Sequence, residues 1–165
     1  MKISVWLTMK PEDEYQLTRS IEKLAEQYNA PVFKPHITIY SPIIGDVTSI
    51  SEIGTAVFED AKPFKVYSSS VKQSADLWKT VFIQLMIHPR LSQMNQDFNQ
   101  RVNRKSEYTF SPHISLIYKQ VAPVNRERIV TAFKPQQCYT VFGAALVNTE
   151  KAVNLWQIVK QYVFQ

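Results

Sequence analysis

The sequence predicts an α+β fold of two similar lobes that face each other across a groove. Three observations carry this expectation: strand-like and helix-like segments alternate, one hexapeptide nearly repeats, and a constant offset carries the flanks of the repeat along with it. Lys34-Pro35-His36-Ile37-Thr38-Ile39 returns as Ser111-Pro112-His113-Ile114-Ser115-Leu116, so two of the three histidines in the chain share one local setting. A shift of 77 residues lays Pro35 on Pro112, His36 on His113, Ile37 on Ile114 and Thr38 on Ser115 without a gap. The same shift lays Met9 on Met86, Leu17 on Met94 and Ile21 on Phe98. An offset shared by strand, helix and histidine strand marks a duplicated βαβ-type unit rather than a chance tetrapeptide. A pseudo-twofold axis between such units would place the two histidine strands across a shared groove, with the histidines facing each other. A single domain is expected over residues 1–165, with sequence halves of about 1–76 and 77–165 and interleaved lobes.

Along the chain, Ile3 to Met9 alternates apolar residues with Ser4, Trp6 and Thr8 and reads as a half-exposed strand. Pro11, Glu12, Asp13 and Glu14 open a helix, because proline fits the first turn and carboxylates suit its positive end. Leu17, Ile21, Leu24, Ala25 and Tyr28 form its apolar stripe, and Asn29-Ala30-Pro31 ends it. Val32 to Ser41 is the first histidine strand, Thr48 to Glu59 a second helix, and Phe64 to about Val71 a strand. The order then restarts with a strand over Thr80 to Ile87 and a helix opened by Pro89, with Leu91, Met94, Phe98 and Val102 on one side. Phe110 to Tyr118 is the second histidine strand. Asn125 is placed as the cap of a helix bearing Ile129, Val130 and Phe133, and Cys138 to Val147 is a strand. Leu155 to Phe164 reads as a last strand, with helix as the competing reading.

The composition, 45% hydrophobic and 20% charged, is that of an ordinary globular chain, and no apolar run approaches the roughly 18 residues of a membrane span. No membrane partner is expected. The segment Met1 to Trp6 runs straight into a strand pattern with neither a secretory nor a transit signature, so a cytoplasmic location is expected, and a monomer. Cys138, the one cysteine, excludes an internal disulfide and a multi-thiolate metal site, and reads as a small apolar residue beside a strand. The net charge of +5 is uneven: residues 1–60 hold 5 basic and 9 acidic groups, and residues 61–165 hold 14 and 5. A positive second half suits an anionic ligand, although a solvated basic face is also common.

A strand with period two sets His36 on the same face as Thr38 and His113 on the same face as Ser115, while Ile37, Ile39, Ile114 and Leu116 point to an apolar layer. In-line displacement at phosphorus needs a base behind the attacking oxygen and an acid behind the departing one. Two imidazoles across a groove meet that need, since an ordinary pKa of about 6.5 makes both protonation states accessible near neutrality. Thr38 and Ser115 can donate to the non-bridging oxygens. A lone strand-end histidine more often serves structure, but duplication in register moves the balance to function. His88, before Pro89 and without a hydroxyl two residues on, reads as a turn or helix-entry residue. A zinc site from His36, His88 and His113 is disfavoured because no compact ligand spacing supports it, so no metal and no cofactor are expected.

These motifs resemble those of the 2H phosphoesterases, a superfamily defined by two copies of His-x-[Thr/Ser]-x, and within it the chain is most similar to the plant-type cyclic phosphodiesterase group. The likeness includes Ser4-Val5-Trp6, Phe33-Lys34-Pro35-His36, Pro112 to Tyr118, and Asn148-Thr149 to Trp156. The resemblance implies a bilobal fold, with two pseudo-twofold-related antiparallel sheets lining a central groove and helices outside. It also implies metal-independent opening of 2′,3′-cyclic nucleotides or of ADP-ribose 1″,2″-cyclic phosphate. By motif position, His113 is the expected general base and His36 the general acid, a pair that near-symmetry leaves open to reversal. Tyr118 and Trp6 are expected to bind substrate. Strict alternation puts Tyr118 opposite His113, so the strand must bulge or end there, and Trp6 is read either as a base-stacking ring or as the cover of a lobe edge. Trp78 and Trp156 are read as structural. Lys34 is read either as a phosphate contact or as a solvated strand-entry residue.

Two alternatives accompany this reading. An RNA end-processing enzyme, similar to the 2′-5′ RNA ligases or to exonucleases that trim RNA 3′ ends, would draw on Arg101, Arg104 and Lys105. No regular aromatic-basic interleaving marks an extended RNA track. A non-catalytic nucleotide or RNA-binding module is opposed by the presence of both histidines and both hydroxyls.

Overall fold

The structure, a computed structural model, describes all residues 1–165. Seven strands and four helices follow one another as β1 (Lys2–Met9), α1 (Pro11–Tyr28), β2 (Ile37–Ile44), α2 (Val47–Phe58), β3 (Phe64–Gln73), β4 (Val81–Leu85), α3 (Pro89–Arg101), β5 (His113–Ile117), α4 (Pro123–Ala132), β6 (Cys138–Asn148) and β7 (Gln157–Val163). Short 3₁₀ turns cover Leu77–Lys79 and Val153–Leu155.

All strand pairings are antiparallel, in the order β1-β2-β5-β4-β3-β6-β7 with a further β1–β6 pairing. The result is two four-stranded wings, β2-β1-β6-β7 and β5-β4-β3-β6, that share β6. The start of β6, Cys138 to Val141, pairs with β3, and Gly143 to Asn148 pairs with β7. Between the wings, β2 and β5 meet at one register pair, Ile37 with Ile114. The two histidine strands therefore lie side by side at the seam. The α+β antiparallel architecture expected from the sequence is present, but as one seven-stranded sheet rather than two separate sheets, and the histidine strands, expected across a groove, are directly paired neighbours.

The pseudo-twofold relation extends to the helices. α1, which precedes β2, packs on β5, and α3, which precedes β5, packs on β2. Leu17, Ile21 and Ala25 of α1 are buried, as are their counterparts Met94, Phe98 and Val102 at the 77-residue offset. Ile37, Ile39, Ile114 and Leu116 are wholly buried in the same apolar layer. The leading strands depart from that offset. Leu7 pairs with Ile37 whereas Ile83 pairs with Ile114, so β1 and β4 correspond at a shift of 76. Met9 thus corresponds to buried Leu85, and Met86, its expected counterpart, is 55% exposed. The extra residue lies between β4 and α3.

Element ends follow local chemistry. Ladder pairing of β2 and β5 begins at Ile37 and His113, later than expected, because Pro31, Pro35 and Pro112 have no N–H to contribute. Asp46 caps α2 by accepting from the Ser49 N–H at 3.0 Å. α4 starts at Pro123 with Ala122 before it, not at Asn125, since proline at the first helical position needs no capped N–H. His88 is the N-cap of α3, its Nδ1 accepting from the Arg90 N–H at 3.1 Å, as a helix-entry residue should. Asp13, buried in the first turn of α1, accepts from the Thr140 N–H at 2.7 Å and ties that helix to β6.

Candidate active site

A groove of about 470 Å³ opens along the seam between the wings. β1 contributes Lys2, Ser4 and Trp6 to its lining, the β2 strand and its entry contribute His36, Thr38, Ser41 and Pro42, and β5 contributes its first residue His113, with Tyr118 just after its end. The loops add Asp76, Trp78, Lys79, Glu107, Tyr108, Thr109, Thr149 and Trp156.

Both imidazoles are buried and held in the same way. His36 Nδ1 lies 2.6 Å from the Lys34 carbonyl, and His113 Nδ1 lies 2.7 Å from the Ser111 carbonyl. A carbonyl only accepts, so each Nδ1 carries the proton and each Nε2 is the nitrogen left for acid–base work, that of His36 within reach of the Tyr118 hydroxyl. The repeat thus encodes its own clamp: the residue two before each histidine, followed by proline, turns its carbonyl back onto the ring.

Aromatic rings complete each setting unequally. Trp6 lies face to face on His36, centroids 3.6 Å apart at 8°. Phe82, the counterpart of Trp6 at the 76-residue shift, meets His113 edge-on at 5.3 Å and 69°. Trp6 therefore lines the groove as expected, with one indole face taken by the histidine. Tyr118 reaches the groove as well: β5 ends at Ile117, and the β4 register slips by one residue between Ile117 and Ser115. Its hydroxyl lies 3.3 Å from His36 Nε2. Burial pushes that phenol well above the ordinary tyrosine range, so it stays a donor near neutrality.

Of the two hydroxyls, Thr38 lines the groove, whereas Ser115 Oγ donates to the Trp78 carbonyl at 2.8 Å. Lys34 turns outward to Glu14, Nζ to Oε1 3.0 Å, which favours the strand-entry reading over a phosphate contact. Trp78 and Trp156, read from sequence as structural, both line the groove and stack at 5.8 Å and 29°. A tryptophan followed at once by Lys79, in a segment that continues no strand or helix pattern, was the available signal for Trp78. No three His, Cys, Asp or Glu side chains converge as a metal-binding group. No helix is long and apolar enough to cross a membrane.

Desolvation is the largest cause lowering both histidines, His36 to about 3 and His113 to about 4. For His36 the backbone bond to Lys34 opposes it, and the charge of His113 adds to it. At His113 the Ser111 carbonyl and Asp76 oppose it, while Lys79 adds to it. Both rings are neutral in the empty groove at pH 7. The unfolded chain, with ordinary histidines near 6.5, takes up protons before the folded one does. Folding stability is therefore fully present above about pH 6.5 and is lost as pH falls toward 4, by up to about 1.4 kcal/mol per pH unit for each histidine. Urea titrations at pH 4.5, 5.5 and 7 should show this slope, and His36→Gln should reduce it. An unchanged slope would mean that the ring is not buried neutral.

No protein-family model matches the chain. It is similar to a cyclic phosphodiesterase of Arabidopsis thaliana, 20% identical over 118 residues, a match that spans 72% of this chain and 65% of that protein's length. Among solved structures, Escherichia coli LigT complexed with 3′-AMP superposes with a TM-score of 0.66 at 12% identity over 99% of this chain and 98% of LigT. TT0787 of Thermus thermophilus gives 0.66 at 13% identity, with the same coverage of 99% and 98%. LigT complexed with ATP gives 0.65 at 13%, again over 99% and 98%. The chain has the fold of the LigT-like 2H phosphoesterases, and its sequence resembles a cyclic phosphodiesterase.

Proposed function

We propose that the protein is a metal-independent cyclic phosphodiesterase that opens 2′,3′-cyclic nucleotides or ADP-ribose 1″,2″-cyclic phosphate. The observation that carries this reading is the pair of buried imidazoles, each pinned through Nδ1 to a backbone carbonyl and each lining the same groove. The sequence likeness to a cyclic phosphodiesterase and the nucleotides found on LigT support the substrate class.

In this mechanism His113 Nε2 takes a proton from water, and the water oxygen bonds to phosphorus. The bond from phosphorus to the 3′ oxygen breaks in line, and His36 Nε2–H protonates that oxygen, leaving a 2′-phosphate. Thr38 and Ser115 would donate to the non-bridging oxygens, Ser115 by leaving the Trp78 carbonyl. Because both rings are neutral in the empty groove, His36 acquires its proton together with the substrate, whose negative charge favours imidazolium. Trp6 and Tyr118 would hold His36 and the sugar side of the substrate, and the protein would act as a cytoplasmic monomer.

A second reading, processing of RNA 3′ ends, has one observation behind it: exposed Arg101, Arg104 and Lys105 lead directly into groove-lining Glu107, Tyr108 and Thr109. Turnover of 2′,3′-cyclic AMP, ADP-ribose cyclic phosphate and a short RNA with a cyclic-phosphate end, all in EDTA, separates the two. The small-molecule reading expects comparable or higher kcat/KM on the mononucleotide. A large preference for RNA that weakens steeply with salt would replace it with the end-processing reading. No turnover of any cyclic phosphate would overturn both.

A further inference from the structure

We infer that Trp78, backed by Trp156, is a stacking platform for a nucleobase, placed at the mouth of the groove beside the histidine pair. This deepens the reading proposed above and rests on it for the identity of the phosphate end.

Four observations carry the inference. Trp78 is 47% exposed, a large apolar surface for a loop side chain, and it lines the groove that the histidines line. Its ring is not loose: it stacks on Trp156 and meets Tyr118 edge-on at 5.3 Å. Trp156 is itself fixed, its indole N–H donating to the Lys151 carbonyl at 3.0 Å. The loop is also tied to the second motif, because Ser115 Oγ holds the Trp78 carbonyl, and Asp76 caps the turn by accepting from the Trp78 N–H at 2.9 Å. A rigid, half-open indole suits the π-face of a purine or pyrimidine, which stacks without regard to hydrogen-bonding pattern. Trp6, the ring expected from sequence to stack on a base, is buried against His36 and has little open surface to offer.

The link from Ser115 to Trp78 gives the platform a second consequence. A base settling on Trp78 and a phosphate drawing Ser115 Oγ away from the Trp78 carbonyl act on the two ends of one contact. Base recognition and phosphate positioning are thereby joined through a single hydroxyl.

Binding rather than turnover tests the platform, so that its failure is distinguishable from failure of the proposed reaction. Dissociation constants are measured by calorimetry for 2′-AMP and for glycerol 2-phosphate, which presents a secondary phosphomonoester without a base. Wild type is expected to bind 2′-AMP about 10- to 100-fold more tightly than glycerol 2-phosphate. Trp78→Ala should remove most of that difference while changing the glycerol 2-phosphate constant less than about twofold, and Trp78→Phe should restore part of it. Because Trp78 is half exposed and outside the main core, Trp78→Ala should still unfold in one cooperative urea transition. The platform is overturned if Trp78→Ala weakens both ligands equally, leaves 2′-AMP unchanged, or if wild type does not distinguish the two ligands.

Discussion

His36→Ala and His113→Ala are each expected to lower kcat/KM for 2′,3′-cyclic AMP by about 10³-fold or more, the upper part of the range for a positioned acid or base. The double variant should be little worse than the more damaged single one, because an acid and a base that serve one displacement act as a unit. Near-symmetry of the two settings makes a loss of rate uninformative about which ring is the acid, so a second substrate is needed. Replacing the leaving 3′ oxygen of the cyclic phosphate by sulfur produces a thiolate that departs without protonation. His36→Ala should recover most of its activity on that substrate, and His113→Ala should not. Recovery by His113→Ala alone would exchange the roles. Either variant retaining near wild-type turnover on the natural cyclic phosphate would remove the two-histidine mechanism altogether.

Phe98→Ala should be among the most destabilising single truncations. Phe98 is wholly buried on α3, with Phe58 at a centroid distance of 5.5 Å, in the apolar layer behind the first histidine strand. Removal of a buried phenylalanine loses its transfer free energy and leaves a cavity that close-packed neighbours only partly fill, about 3–5 kcal/mol in all. The urea midpoint should fall with its slope unchanged, and the melting temperature should drop by roughly 10 °C. A loss below about 1 kcal/mol would show that α3 does not pack behind β2 as described. Because α1 and α3 support each other's histidine strand, the damage should extend to the groove, with a larger loss of activity in Phe98→Ala than the unfolded fraction accounts for.

The histidine pair was legible because its signal is local. Pro-His-Ile-Thr and Pro-His-Ile-Ser each specify a strand entry, an apolar face and a histidine beside a hydroxyl, all within four residues, whereas the carbonyl clamp on each ring came only from the structure. The helix stripes were legible for the same reason, and Leu17, Ile21 and Ala25 stand on Met94, Phe98 and Val102 in burial as in sequence. The leading strands were misaligned by one residue because Met9 and Met86 are chemically alike, whereas the true correspondence of Met9 with Leu85 depends on cross-strand register. Lys34 was ambiguous until Glu14 came to meet it, a contact between a helix and a strand entry 20 residues apart in the chain. Trp78 and Trp156 were read as structural because a groove wall formed by two distant loops has no periodicity that would single them out. Tyr118 was placed correctly only by allowing the strand to bulge or end, and it does both.

Burial that holds both rings neutral also shapes the pH dependence. The profile of kcat/KM reports the free enzyme and that of kcat reports the substrate complex. With His36 near 3 and His113 near 4 in the empty groove, and with the substrate's anion favouring imidazolium, each limb of the kcat profile should lie at higher pH than the matching limb of kcat/KM. The two values belong to a coupled pair, so the limbs describe the pair and not one ring.

The most direct measurement is therefore the opening of 2′,3′-cyclic AMP followed from pH 4 to 9 in the presence of EDTA. The two-histidine account expects undiminished activity in the chelator, a bell-shaped kcat profile and a kcat/KM that still rises toward the acid end of that range. Activity that disappears with EDTA and returns with a divalent ion, or rates that stay flat across the whole range, would contradict it.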